Sequence, residues 1–230
     1  MTDSPGPGTP LAVSWVGEEL LLLPERALWW PAQRVLMIAD LHIGKAATYR
    51  NLGQPVPSGT TRENLRRISR LLLQYRPALL LFLGDFLHAA QARTPSVLHA
   101  LDEWRQEFSD IDVLLVRGNH DSRAGDPPES LNIKVVEEPW LIGPFAACHH
   151  PQSHATHAVI AGHLHPVVSL RGRGRDHLRL PCFCFEERRA VLPAFGEFTG
   201  GWSMKTEPGL KVYPVGGEVV WCLPNAAGAA

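Results

Sequence analysis

Three apolar runs that each close on a polar signature constrain the fold of this chain more than any other feature: "RVLMIADLH" (34–42), "ALLLFLGD" (78–85) and "DVLLVRGNHD" (112–121). A strand that stays apolar over consecutive residues is covered on both faces, as parallel strands between helices are. The intervening segments supply the helices. Thr60 and Glu63 have capping-box spacing, Leu65, Ile68, Leu72 and Tyr75 recur on one face, and Pro77 marks the end. "TPS" opens a second helix with Thr94 as cap and Pro95 in its first turn, turning Val97, Leu101, Trp104 and Phe108 inward. The Gly- and Pro-rich stretch "GKAATYRNLGQPVPSG" (44–59) is expected to be a long loop, and "LAVSWVGEELLLLP" (11–24) a hairpin.

Beyond residue 132 the pattern changes to short strands near 133–136, 141–148, 157–161, 167–170, 178–184, 190–192, 211–215 and 218–222, joined by Gly and Pro turns. Helix-strand alternation followed by many short strands implies two β-sheets packed as a sandwich with helices outside. No linker separates the halves, so residues 11–230 are expected to form one domain behind a disordered tail, residues 1–10. The chain is long enough, at 230 residues and 45% hydrophobic, to bury a full core.

Each apolar run ends in residue types that bind metals. The first ends in Asp40 and His42, the second in Asp85, and the third in Asn119, His120 and Asp121. "WLIGPFAAC" then runs into His149 and His150, and "AVIAG" into His163 and His165. Ligands of open α/β sheets bind outside the carboxyl ends of the strands, so the five groups should meet on one rim. Carboxylate, imidazole and amide oxygen suit Mn, Fe or Zn in mixed N/O coordination. On an extended segment, residues two apart point the same way, so Asp40 with His42, and His163 with His165, are expected to act in pairs. Asp85 is the candidate bridge between two divalent ions about 4 Å apart, since a carboxylate has two oxygens to offer. Gly84, Gly118 and Gly162 leave room beside these groups.

Other residues are more ambiguous. Lys45, Arg50 and Arg123 lie near the ligand motifs and are candidates for substrate phosphates. His88 is either a substrate contact or a structural histidine, and "RGRGRDHLR" (171–179) either a phosphate-binding loop or a solvated hairpin tip. Formal net charge is −1 and the isoelectric point near 6.8, so polyanion affinity has to come from a local patch or a metal. The four cysteines have no paired CxxC spacing and read as reduced, mostly buried thiols. With no 18-residue apolar run and no signal-peptide pattern in "MTDSPGPGTP", a cytoplasmic location without membrane contact is expected.

Taken in order, "DLH", "GDFLH", "GNHD", "CHHP" and "GHLHP" resemble the calcineurin-like metallophosphoesterase superfamily, which includes SbcD-type nuclease subunits. "ADLHIGKAATYRNLGQPVPSGTT" (39–61) and "LPAFGEFTGG" (192–201) resemble its DNA-ligase-associated branch. The resemblance implies a four-layer α/β/β/α sandwich of two mixed β-sheets flanked by helices. It also implies one ion on Asp40, His42, Asp85 and His165, and a second on Asp85, Asn119, His149 and His163. His120 would be the catalytic histidine with Asp121 behind it to fix its tautomer. His149 is favoured over His150 as the ligand because it follows "AAC" directly, and His150 would line the pocket. The implied chemistry is attack on a phosphodiester or phosphomonoester by a water or hydroxide bridging two ions, most naturally Mn2+ with Fe, Zn or Mg as alternatives. The implied substrate is DNA, in a repair context shared with a DNA ligase and a helicase. The competing readings are a general phosphatase or cyclic-nucleotide phosphodiesterase, and a noncatalytic scaffold, which should have lost ligands that this chain retains.

Overall fold

The computed structural model describes residues 8–51, 59–171, 177–197, 199–205 and 207–223. The first sheet takes β1 (Leu11–Trp15), β2 (Glu18–Leu22), β3 (Leu28–Trp30), β4 (Val35–Ile38), β5 (Leu79–Leu83), β6 (Asp112–Val116) and β7 (Lys134–Val136) in sequence order. β1 to β4 are antiparallel and β4 to β7 parallel. Between them lie α1 (Lys45–Asn51), α2 (Thr60–Tyr75), α3 (Pro95–Glu107) and the short α4 (Asp121–Ala124).

Side chains alternate strictly along the parallel strands. Leu36, Ile38, Leu80, Phe82, Val113 and Leu115 face α2 and α3, burying Leu65, Ile68, Leu72, Leu101 and Trp104. Val35, Met37, Leu81, Leu83, Leu114 and Val116 face the second sheet, where Phe145, Ile160, Phe183 and Tyr213 meet them. That is why the three runs are apolar throughout: neither face of these strands meets water.

The second sheet follows the order β14 (Trp202–Ser203), β11 (Pro166–Arg171), β12 (His177–Phe185), β13 (Arg189–Val191), β10 (Ala158–Ala161), β9 (Phe145–Ala147) and β8 (Trp140–Ile142). β15 (Lys211–Gly216) pairs with β12, and β16 (Val219–Val220) with β15. Phe145 is pinned between the sheets, stacked on Trp15 at 5.5 Å and met edge-on by Trp30 at 4.9 Å.

The α/β class and the two mixed sheets agree with expectation, and the details differ in four places. Among the described residues the helices lie before Asn132, and the outer face of the second sheet is closed instead by Met204, Leu210 and Leu223 over Val168, Cys182 and Val212. The loop expected over 44–59 contains α1, whose seven residues are too short to show a period. Gly59, not Thr60, takes the α2 cap with φ +90°, so the capping box does not form and Glu63 pairs with Arg66 and Arg70. Gly143 and Pro144 split the strand expected at 141–148 into the hairpin of β8 and β9.

Thr94 caps α3 as expected, accepting from the Val97 N–H at 3.4 Å. All four cysteines are free thiols, three of them buried. Of the expected tail, residues 1–7 lie outside the described residues, while the Gly8 N–H donates to the Glu218 carbonyl. Residues 172–176 of the arginine-rich hairpin also lie outside them. No helix among the described residues is long and apolar enough to cross a membrane.

Candidate metal centre

Five segments that follow strands converge on one rim, three from the first sheet and two from the second. The sheets are joined there by a parallel bridge from Ala39 to Ala194 and by the Phe195 N–H donating to the Ala39 carbonyl at 2.9 Å. Asp40, Asp85 and His149 are fully or almost fully buried, as is His42. Neither DLH nor HLH is extended, however. Asp40, His42, Asp85, His163 and His165 all have φ between +49° and +68°, the left-handed region that L side chains seldom adopt. The pairs converge because the chain coils tightly after each strand, a strain of ~1–3 kcal/mol per residue that persists where the surroundings over-determine it.

The donor atoms fall into two groups. In the first, His42 Nε2 lies 3.2 Å from His165 Nε2 and 3.7 Å from Asp85 Oδ2, and His165 Nε2 lies 3.5 Å from Asp40 Oδ1. In the second, His149 Nε2 lies 2.9 Å from Asn119 Oδ1, 3.0 Å from His163 Nδ1 and 3.5 Å from Asp85 Oδ1. Ligands at about 2.0–2.2 Å from one ion stand roughly 3.0–3.5 Å from each other, which these separations match. Asp40, His42 and His165 form one cluster able to hold an ion, and Asp40, Asp85 and His149 an overlapping one.

Backbone groups aim the rings. His149 Nδ1 bonds the Leu83 carbonyl at 3.1 Å and His165 Nδ1 the Gly200 carbonyl at 3.2 Å, leaving each Nε2 directed into the cluster. The His163 N–H donates to both Asp40 oxygens, and the His120 N–H to Asp85 Oδ1 at 2.9 Å. Gly84 and Gly118 are required by space: a Cβ would stand 2.1 Å from His149 Nδ1 at the first and 2.3 Å from Asp85 Oδ1 at the second.

Burial, reinforced by Lys45 and the neighbouring imidazoles, holds His42 far below its usual pKa, and burial also lowers His149 and His163. These rings are neutral and offer lone pairs, the form in which imidazole binds metal. Burial raises the Asp85 carboxyl, with Asp40 adding to the shift. Two buried carboxylates and two buried imidazoles, with the half-buried His163 and His165 beside them, make a set that a divalent cation satisfies.

The His120 ring stacks on His88 at 5.0 Å, and its Nδ1 bonds the His88 carbonyl at 2.7 Å. That carbonyl, not Asp121, fixes the His120 tautomer. Asp121 accepts from the backbone N–H groups of Leu87 (3.1 Å) and Gly118 (3.0 Å), tying two ligand-bearing loops together, and burial pushes its carboxyl up to about 6. Burial lowers His88 to about 4. Lys45 is half-buried close enough to Asp85 and Asp40 for both to raise its pKa against the lowering effect of burial.

Arg123 is exposed in the last turn of α4, and the Arg50 side chain lies outside the described residues. His150 bonds Glu138 through Nδ1 at 2.7 Å and packs against the rings of His149 and His163, with centroids 4.7 and 4.4 Å away, so these three imidazoles form a further cluster able to hold an ion. Sequence reading missed Glu138, whose carboxylate also accepts from the His149 and His150 N–H groups at 2.6 and 2.9 Å. Nothing in "VVEEPW" signals it, since its partners lie 11 and 12 residues downstream.

A sandwich with strand-end carboxylates and imidazoles gathered on one rim is the architecture of a metal-assisted phosphoester hydrolase. The chain belongs to the calcineurin-like phosphoesterase family, whose pattern it matches over residues 33–150. It is similar to the crystal structure of nuclease MPE from Pseudomonas putida, with 48% identity, a TM-score of 0.83, and coverage of 94% of this chain and 100% of that one. Yfce, a phosphoesterase from E. coli, aligns at 16% identity over 81% of this chain and 95% of its own, with a TM-score of 0.41. No curated protein matches.

Proposed function

We propose that residues 11–230 act as one domain, a manganese-dependent phosphodiesterase and nuclease holding two divalent ions. One ion is held by Asp40, His42, Asp85 and His165, and the other by Asp85, Asn119, His149 and His163. The observation that carries this is Asp85, whose Oδ2 faces His42 at 3.7 Å while its Oδ1 faces His149 at 3.5 Å. When bound, the ions would lower the pKa of coordinated water and offset charge on the phosphoryl oxygens.

The remaining work falls to side chains. With Nδ1 committed to the His88 carbonyl, His120 presents Nε2 to the centre, 3.9 Å from Asp85 Oδ2, the nitrogen through which it can contact a phosphoryl oxygen or pass a proton to the departing one. The Lys45 ammonium, drawn toward Asp40 and Asp85, offsets phosphate charge from the α1 side. His88, His150 and Arg123 are further substrate contacts around the same rim. Support for a nuclease comes from the similarity to the Pseudomonas putida nuclease across nearly the whole chain. Action on DNA in the cytoplasm, in repair alongside a DNA ligase and a helicase, extends this reading through the "LPAFGEFTGG" resemblance.

The test is a substrate panel with Mn2+: a phosphomonoester, bis-p-nitrophenyl phosphate, a 2′,3′-cyclic nucleotide, and single- and double-stranded DNA. Cleavage of the linear diester and of DNA is expected, and its loss in an Asp85→Ala, His120→Ala double variant. Hydrolysis of the monoester alone would overturn the nuclease reading.

A further inference from the structure

"LPAFGEFTGG" holds none of the proposed ligands, yet the main chain of Phe195 and Gly196 bonds the strand end that carries Asp40. The Phe195 N–H donates to the Ala39 carbonyl at 2.9 Å and the Gly196 N–H to the Asp40 carbonyl at 3.1 Å. A Cβ on Gly196 would stand 2.3 Å from the Leu41 carbonyl, so the segment lies flat against the DLH turn. Further along, the Gly200 carbonyl receives His165 Nδ1 at 3.2 Å. Asp40 is held at φ +53° and His165 at φ +49°, so what braces this segment also braces two strained residues.

The brace comes from α2. The half-buried guanidinium of Arg67 donates to the Phe195 carbonyl at 3.0 Å, to Glu197 Oε1 at 3.1 Å and to the Glu25 carbonyl at 2.8 Å, and it lies over the Phe195 ring at 4.1 Å. Arg26 closes on the same Glu197 oxygen. One planar fork thus ties two chain segments, at Glu25 and at Phe195–Glu197, to α2, a geometry that an ammonium cannot reproduce.

We propose that Arg67 is a positioning residue for the metal centre, acting through Phe195 and Gly196 on Asp40 and, by way of the Thr199 hydroxyl that donates to the Gly196 carbonyl, through Gly200 on His165. It favours the ion on Asp40, His42 and His165 over the ion on Asn119, His149 and His163. This rests on the ligand assignment above, and the experiment separates the two. Partners that orient metal ligands are typically worth about 10–100-fold in metal affinity.

Calorimetric titration of Mn2+ into the metal-free chain reads each site apart from turnover. For wild type, two sites are expected. Arg67→Ala should weaken one site about 10–100-fold and spare the other, with unfolding still cooperative. Arg67→Lys should fall between, and Arg70→Ala, which loses an exposed pair with Glu63, should match wild type. Glu197→Ala removes the carboxylate from the clamp without touching α2, and it should weaken the same site about tenfold, which decides the matter if Arg67→Ala does not fold. Two unaltered sites in folded Arg67→Ala, or an equal loss at both, would overturn the positioning role. A wild-type chain that binds fewer than two ions would overturn the ligand assignment instead.

Discussion

Replacing Gly84 with alanine tests whether the rim is as tightly determined as its contacts imply. The added Cβ would stand 2.1 Å from His149 Nδ1, 2.5 Å from its Cγ and 2.8 Å from its Cβ, where ordinary contact begins at 3.4 Å. The ring would have to retreat by roughly 1.3 Å in an interior packed as densely as a crystal, losing its bond to the Leu83 carbonyl. Overpacking of this kind costs ~1–3 kcal/mol, and the left-handed φ of +81° adds ~1–2 kcal/mol. A misplacement near 1 Å at a reacting centre costs on the order of 10²-fold in rate.

Gly17 supplies the matched control, because it has the same φ of +81° with nothing within 4 Å of its virtual Cβ. Gly17→Ala should therefore lose only the backbone contribution, ~1–2 kcal/mol, and keep full activity. The assay is kcat/KM for bis-p-nitrophenyl phosphate at saturating Mn2+, with urea unfolding alongside. Gly84→Ala is expected to lose about 100-fold in kcat/KM. Activity within threefold of wild type would refute the claim that the position of His149 sets the chemistry.

Glu138→Ala should remove the acceptor of three bonds from His149 and His150 and lower Mn2+ affinity about 10-fold or more, measured by calorimetry. Phe183→Ala should cost ~3–5 kcal/mol in urea unfolding, since the fully buried ring fills the space between the sheets. Mn2+ at a hundredfold excess over its dissociation constant should stabilise the chain by ~2.7 kcal/mol for each ion bound, seen as a raised Tm that EDTA reverses.

The parallel strands were legible because burial on both faces leaves unbroken apolar runs, and the residues after them were legible because metal-binding types follow every run. The backbone device was not. Nothing in "DLH" or "HLH" says that the first and last residues turn left-handed; the DLH turn is held by backbone bonds from Phe195 and Gly196, more than 150 residues from Asp40. Tertiary contacts also settled what local signals left open. Glu138 takes the Nδ1 of His150 from 12 residues away, a partner that only the assembled fold supplies, whereas the cap of α2 fell one residue earlier than expected, at Gly59, by a purely local shift. Asp121 shows the reverse error: adjacency to His120 suggested a partner, yet its carboxylate reaches Leu87 and Gly118 instead.

The central claim is that Asp85 bridges two ions, and electron paramagnetic resonance of the Mn2+-loaded chain tests it most directly. An exchange-coupled spectrum from a manganese pair is expected for wild type, collapsing to isolated-ion signals in Asp85→Ala. Isolated-ion signals from fully loaded wild type would contradict it.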